Sequence, residues 1–419
     1  MTRKKAGLII ANAAEVITCA SGGRPKKGRD MLEIGRFENA SLAIVDGLVA
    51  AVGAASEVEA AYESGIYIDA TGKSIIPGIV EPHTHLVYGG SRLAEFEMRI
   101  KGAGYLEILE AGGGILSTVE KTREAPEQEL FQASMHRLDR LLANGVTVCE
   151  IKTGYGLEKE SELKMLRVIL DLGRRHSVDV VPTFLPAHAI PGDWKGKEDE
   201  FTDVICREMI PAAADLLGLD AGEGLDDRRP KAFIDVFCEK GAFDLAQCER
   251  VIREAKKHGF AVKAHVDEFT NLGGSAFAIR EGAVSIDHLD MINEQEIGLL
   301  AKSETIGIVT PTVNFNLGSR EFAPARKMID SGCAVALSTD YNPGSSPCPS
   351  PAIAMAIAAR YQKLLPAEAI NAVTINSAAA VAASKYFGWP KMPAARAIES
   401  IISAFQLTRI LSSLPGRTR

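Results

Sequence analysis

Aromatic side chains are scarce, at 6% of 419 residues, with only two tryptophans. A surface that stacks nucleobases needs such platforms. A net charge of −7 offers no basic footprint for phosphates either, so nucleic acid is excluded as the main partner. No run of about 18 apolar residues occurs, so no membrane-spanning helix is expected. Cysteine is thin as well. Cys19, Cys149, Cys206, Cys238, Cys248, Cys333 and Cys348 are scattered, odd in number and free of any C-x-x-C pair. That excludes a disulfide framework and a four-cysteine metal site, and it points to reduced core residues of a cytoplasmic protein. The stretch from Met1 to Ala20 begins like a signal peptide, but Asn12 and Glu15 interrupt its apolar part, so secretion is not expected. No G-x-G-x-x-G follows a first strand, which argues against a dinucleotide crevice. The cluster Gly112-Gly113-Gly114 lacks the Lys-Ser/Thr partner of a phosphate cradle.

What is present is an ordinary globular composition, 46% hydrophobic and 24% charged. The first 77 residues read as short strands (Gly7 to Ile10, Ser41 to Val45, Leu48 to Val52, Ile66 to Ile68 and Ser74 to Ile76). Asp46-Gly47 is the turn signal of a hairpin. This predicts a small β-sandwich-like domain over 1–77. Beyond Pro77-Gly78 the rhythm changes. Apolar runs centred on Ile79, Val146, Val178, Ile234, Val262, Ile286, Ile308 and Val335 alternate with amphipathic helical patterns. Eight such units predict an α/β fold, a (β/α)₈ TIM barrel over 78–384.

In that architecture the chemistry sits where the strands end. The first run ends in His83-Thr84-His85, and alternate residues of an extended segment face the same way. His265 ends the fifth run and Asp340 the eighth. Three imidazoles and a carboxylate suit Zn²⁺ or Fe²⁺, with water completing the set. His188 and His288 also fall at strand ends. His136, His176 and His258 lie on helical patterns and read as surface residues.

These residues carry a family resemblance. Gly78-Ile79-Val80-Glu81-Pro82-His83-Thr84-His85 resembles the first-strand signature of the amidohydrolase superfamily. The stretches CEIKTGYGLEKESELKMLRV, AHAIPGDWKG, AHVDEFTNLGG and STDYNPGSSP are similar to one branch of it. That branch opens the ring amide of an imidazolone propionate during histidine degradation. The resemblance runs from Gly78 to about Ala380. It implies metal-dependent hydrolysis of 4-imidazolone-5-propanoate to N-formimidoyl-L-glutamate. It implies His83, His85, His265 and Asp340 as ligands of one divalent metal. It also implies Arg92, Tyr155, His188, Glu268, Asn342, Gly344 and Ser345 as substrate contacts, and Glu268, His288 and Asp340 as catalytic groups. The fourth run, Val236-Phe237-Cys238-Glu239, ends without the lysine of binuclear relatives, in keeping with one metal. Chemistry supports these assignments. Arg92 offers a planar fork to a carboxylate, a bound ion lowers the pKa of water to about 7, and Glu268 can pass a proton to the departing nitrogen.

Two stretches depart from the resemblance. Pro311 to Ser319 is less apolar and aromatic than in the family. From Lys385 to Arg419 neither the Gly-Lys-x-Ala-Asp stretch nor strand alternation appears. This atypical tail reads as a shifted frame or truncated variant, the alternative being a divergent helical ending. Either way the small β domain is expected to lack its closing strands, exposing edges. The competing functions are another amidohydrolase activity, such as a deaminase, and a destabilised non-catalytic barrel. The implied partner is a small carboxylate-bearing substrate. Oligomeric state stays open, with a homodimer common in the superfamily.

Overall fold

The computed structural model describes residues 3–103, 107, 112–219 and 232–382. The tail anticipated from Lys385 onward lies outside the described residues.

The N-terminal strands are β1 (Lys4–Lys5), β2 (Leu8–Ile17), β3 (Arg36–Val45), β4 (Leu48–Ala54), β5 (Tyr62–Glu63), β6 (Tyr67–Asp69) and β7 (Ser74–Ile75). The expected small domain takes the form of one mixed sheet. Its order is β4-β3-β2-β6, with β7 also pairing β2, beside a separate β1–β5 pair. Asp46 and Gly47 both take positive φ, 49° and 85°, the backbone that matches strand twist in a two-residue hairpin. Asn12 sits at a register shift in β2 with φ 61°. The polar interruption in the apolar N-terminal run is therefore a bulge, and it lets β2 bury Leu8, Ile10, Ala13 and Val16 in one cluster.

The barrel strands follow: β8 (Ile79–Glu81), β9 (Val146–Lys152), β10 (Asp179–Ala187), β11 (Phe233–Cys238), β12 (Ala261–Val266), β13 (Ser285–His288), β14 (Ile306–Val309) and β15 (Val335–Leu337). All neighbours are parallel and sequential. Just past the ends of β8 and β15, Thr84 bridges Tyr341 and the His85 amide donates to Tyr341 O at 3.0 Å. This all but closes the ring.

The barrel interior is layered. At the N-terminal end of the strands, Ala378 and Val381, from the helix Ile375–Ala380 and the turn after it, pack against Val80, Val148, Val181 and Phe233. Above them, Glu150, Lys152, Thr183, Asp235, Lys263, Ser285 and Asp287 are all fully buried. Above those stand the strand-end histidines. Outside, helices bury one stripe each, as in Lys159–Arg175 with Leu166, Ile169 and Leu172 at 0% exposure. Asp244 and Gln247 form a capping box at the start of the helix Leu245–Lys257. Pro311–Leu317 is a helix with its proline in the first turn, where no amide donor is needed.

His176 is not a surface residue, because its side chain is only 4% exposed. Its Nδ1 accepts from the Val178 amide at 3.0 Å and its Nε2 lies 3.3 Å from Asp139. Among the described residues, no helix is long and apolar enough to cross a membrane.

Candidate metal centre

Strand ends bring His83, His85, His265, His288 and Asp340 together, each at most 3% exposed. His85 Nε2 and His265 Nε2 face each other at 3.2 Å. Asp340 Oδ1 lies 3.6 Å from His83 Nε2 and 3.7 Å from His85 Nε2. A tetrahedral ion with bonds of about 2.1 Å sets its ligands about 3.4 Å apart, so these pairwise spacings suit a small cation; the candidate ligand atoms fall in two groups that share His83, one with His85 and His265 and one with His288 and Asp340. His83 Nε2 is buried without a hydrogen-bond partner, and such an orphaned acceptor is costly unless something fills the role. Burial, aided by the Lys152 charge, holds the His83 imidazole well below its ordinary pKa. Burial does the same for His85, with His188 adding to it. Both rings are therefore neutral and able to ligate. Burial pushes the Asp340 carboxyl well above the usual range, and the Asn342 amide opposes this.

Of the ring nitrogens turned away from this cluster, two face carboxylates, while His85 Nδ1 is buried without a hydrogen-bond partner. His83 Nδ1 meets Asp287 Oδ2 at 2.7 Å. His265 Nδ1 lies 3.0 Å from Asp235 Oδ2, off the line of a well-formed hydrogen bond. Both carboxylates in turn approach Lys152 Nζ, at 3.5 and 2.7 Å. Carboxylates on Nδ1 fix tautomer and ring orientation, leaving Nε2 as the ligand atom. Sequence reading assigned no role to Asp235, Asp287 or Lys152. The available signal was a charged residue inside an apolar run, as in Phe233-Ile234-Asp235-Val236-Phe237 and Ser285-Ile286-Asp287.

The other strand-end residues border this cluster. The His188 ring stacks on His85 with centroids 4.7 Å apart, and Tyr155 lies 5.5 Å from His188. His188 Nδ1–H donates to Gly154 O at 2.9 Å, and burial takes its pKa down to about 3. His288 has φ 79° and Asp340 φ 47°, backbone that such residues rarely adopt and that clusters at functional sites. His288 Nδ1 is 3.1 Å from Thr310 Oγ1, and its Nε2 has no partner. Glu268 comes within 3.8 Å of His288. Burial first, then the charges of Asp340, Asp290 and Glu239, raise the Glu268 pKa well above normal.

Arg92 already holds an internal carboxylate. Its Nε and Nη2 donate to Glu95 at 2.9 and 2.8 Å. Glu95 also accepts from Arg99 and the Gly114 amide. Gly344 is the surface on which the Arg92 guanidinium rests, since a Cβ there would lie 2.0 Å from Nη1. Asn342 is consumed within its own loop. Its amide donates to Asp340 O, Asp340 Oδ1 and Ser345 Oγ, and its Oδ1 accepts from the amides of Gly344, Ser345 and Ser346. In this geometry Asn342 shapes the loop that carries Asp340 and has little capacity left for a ligand.

A model of the amidohydrolase family matches residues 92–392. An imidazolonepropionase of Chloroflexus aggregans is 43% identical over 409 residues, covering 98% of this chain and 95% of the relative. One from Herpetosiphon aurantiacus is 44% identical over 373 residues, 89% of this chain and 86% of the relative. Among solved structures, an adenosine deaminase from Xanthomonas campestris with bound zinc superposes with TM-score 0.64 at 17% identity, covering 93% of this chain and 84% of that one. Guanine deaminase of E. coli does so with TM-score 0.64 at 14% identity, covering 90% and 84%. At such identities these two likenesses speak to the fold alone.

Proposed function

Because this chain belongs to the imidazolonepropionase branch of the amidohydrolase family, we infer that it hydrolyses the ring amide of 4-imidazolone-5-propanoate, giving N-formimidoyl-L-glutamate. The near-full-length identity to the Chloroflexus protein carries this reading, and the buried histidine–aspartate cluster supports it.

His83, His85, His265 and Asp340 are the residues that would hold one divalent ion, Zn²⁺ or Fe²⁺. Bound there, the ion supplies Lewis acidity and makes water a competent nucleophile at neutral pH. Asp340, as a carboxylate ligand of that ion, would take a proton from the attacking water. In the tautomer whose Nδ1 accepts from Thr310 Oγ1, 3.1 Å away, His288 Nε2 carries a proton and donates to the carbonyl oxygen as charge builds on it. Glu268, held protonated by burial, delivers its proton to the departing ring nitrogen. Water thus adds across the broken C–N bond. Arg92, steadied by Glu95 and by the backbone at Gly344, binds the propionate. His188 and Tyr155 flank the ring. Asn342 and Ser345 contribute through the loop they brace. A cytoplasmic setting is supported by seven free cysteines.

The test supplies the purified protein with 4-imidazolone-5-propanoate and follows loss of ring absorbance and the product mass. Hydrolysis should stop on chelation and return with Zn²⁺ or Fe²⁺. A metal-loaded protein that leaves the substrate intact refutes the reading.

A further inference from the structure

We propose that Lys152 is a positioning residue of the metal centre: one ammonium, shared by Asp235 and Asp287, holds the two carboxylates that aim His265 and His83. This rests on the reading that those histidines bind a metal.

An ammonium has three hydrogens and no acceptor. Lys152 Nζ has three carboxylate neighbours: Glu150 Oε1 at 2.7 Å, Asp235 Oδ2 at 2.7 Å and Asp287 Oδ2 at 3.5 Å. All four side chains are fully buried. Two of these oxygens, Asp235 Oδ2 and Asp287 Oδ2, are the same atoms that meet His265 Nδ1 and His83 Nδ1. Lys152 therefore stands one atom removed from two of the three candidate histidine ligands. Its strand, β9, is not adjacent to β11 at Asp235 or to β13 at Asp287, so the side chain ties together strands that no ladder joins directly. The remaining valences of the carboxylates are also fixed. Asp235 Oδ1 accepts from the amides of Val236 and His265, and Asp287 Oδ1 accepts from Ser285 Oγ. Each carboxylate has one orientation, with Oδ2 facing both ammonium and imidazole; the Asp287 Oδ2–His83 Nδ1 contact is a hydrogen bond, and Asp235 Oδ2 lies 3.0 Å from His265 Nδ1. Without the ammonium, negative charges would face each other in a site without water-like screening, and both would be free to swing from their imidazoles. Lys263 completes the platform by donating to Pro82 O at 3.0 Å, the carbonyl just before His83.

The experiment measures transfer of Zn²⁺ from the loaded protein to a competing chelator, beside circular dichroism and thermal melting of the same samples. Lys152→Met keeps the unbranched stem, one atom shorter, and removes the charge. It should raise the Zn²⁺ dissociation constant roughly 10- to 100-fold, the usual effect of losing a group that orients a ligand. Asp287→Asn should do likewise, and the double variant Lys152→Met/Asp287→Asn should lose clearly less than the product of the two single losses. A folded Lys152→Met protein with wild-type Zn²⁺ affinity, or strictly multiplicative losses, overturns the proposal. Should Lys152→Met fail to fold, Asp235→Asn and Asp287→Asn decide alone, and wild-type affinity in both overturns it. A wild-type protein that holds no Zn²⁺ or Fe²⁺ would instead defeat the metal reading on which the proposal stands.

Discussion

Gly344→Ala separates substrate anchoring from chemistry. The backbone at Gly344 carries no positive φ, so alanine meets no conformational barrier there. Its new methyl group would lie 2.0 Å from Arg92 Nη1, 2.5 Å from Cζ and 3.0 Å from Nη2. Nη1 and Cζ cannot stay where they are, so the guanidinium must shift. The far end of a flexible side chain yields more readily than backbone, so the fold survives and Arg92 moves. Its two hydrogen bonds to Glu95 loosen, while Glu95 keeps Arg99 and the Gly114 amide. We expect a stability loss of about 1 kcal/mol. The functional cost is larger. Losing a charge-assisted contact to the propionate removes about 1.5–3 kcal/mol, or roughly 10- to 150-fold in kcat/KM. Because the propionate is remote from the scissile bond, the change should appear chiefly in KM, with kcat close to wild type. Steady-state kinetics with the natural acid and with its neutral propionamide analogue give the readout. The acid should suffer much more than the amide. Equal losses for the two, or an unchanged KM, would show that Arg92 does not hold the substrate carboxylate.

Other perturbations probe separate parts of the molecule. Glu268→Gln keeps shape but removes the transferable proton, so turnover should fall roughly 10²–10⁴-fold at unchanged metal content. Since the burial-raised carboxyl acts in its protonated form, wild-type activity should decline as pH rises through that group's pKa, and the Gln variant should lack this alkaline limb. Near-normal turnover would move the proton donor to His288. Asp244→Ala removes the capping box of Leu245–Lys257. It should cost about 1 kcal/mol in chemical denaturation and leave kcat/KM unchanged, and a loss beyond about 2 kcal/mol would mean that Asp244 has another task.

The barrel was legible because its signals are local. Each of the eight strands is a short apolar run with a helical pattern behind it, and His83 and His85 share a face through the two-residue period of an extended chain. The (β/α)₈ rule then places all strand ends at one mouth, which brings His265 and Asp340 to the same place without any contact being known. Asn12, read as a polar break in an apolar run, is where β2 bulges. That outcome depends on pairing with β3, which the run itself does not encode. His176 fits a helical surface pattern, yet Val178 and Asp139 draw its ring inward.

The polar layer beneath the histidines was hidden for a related reason. Lys152 meets Asp235 and Asp287 across separations of 83 and 135 residues. Nothing local distinguishes it from a lysine bound for solvent at a strand end. Asn342 showed its strand-end place in the sequence but not the loop hydrogen bonds that its amide and carbonyl make. Arg92 showed its charge in the sequence but not its standing partner Glu95. The sequence by itself determined strand count, barrel class and the residue types around the candidate ion, because periodicity and strand-end position are properties of short segments. Only the tertiary structure decided which buried charges neutralise one another and which ring nitrogens stay free, because a pairing inside a barrel depends on the inward direction of side chains from strands far apart in the chain.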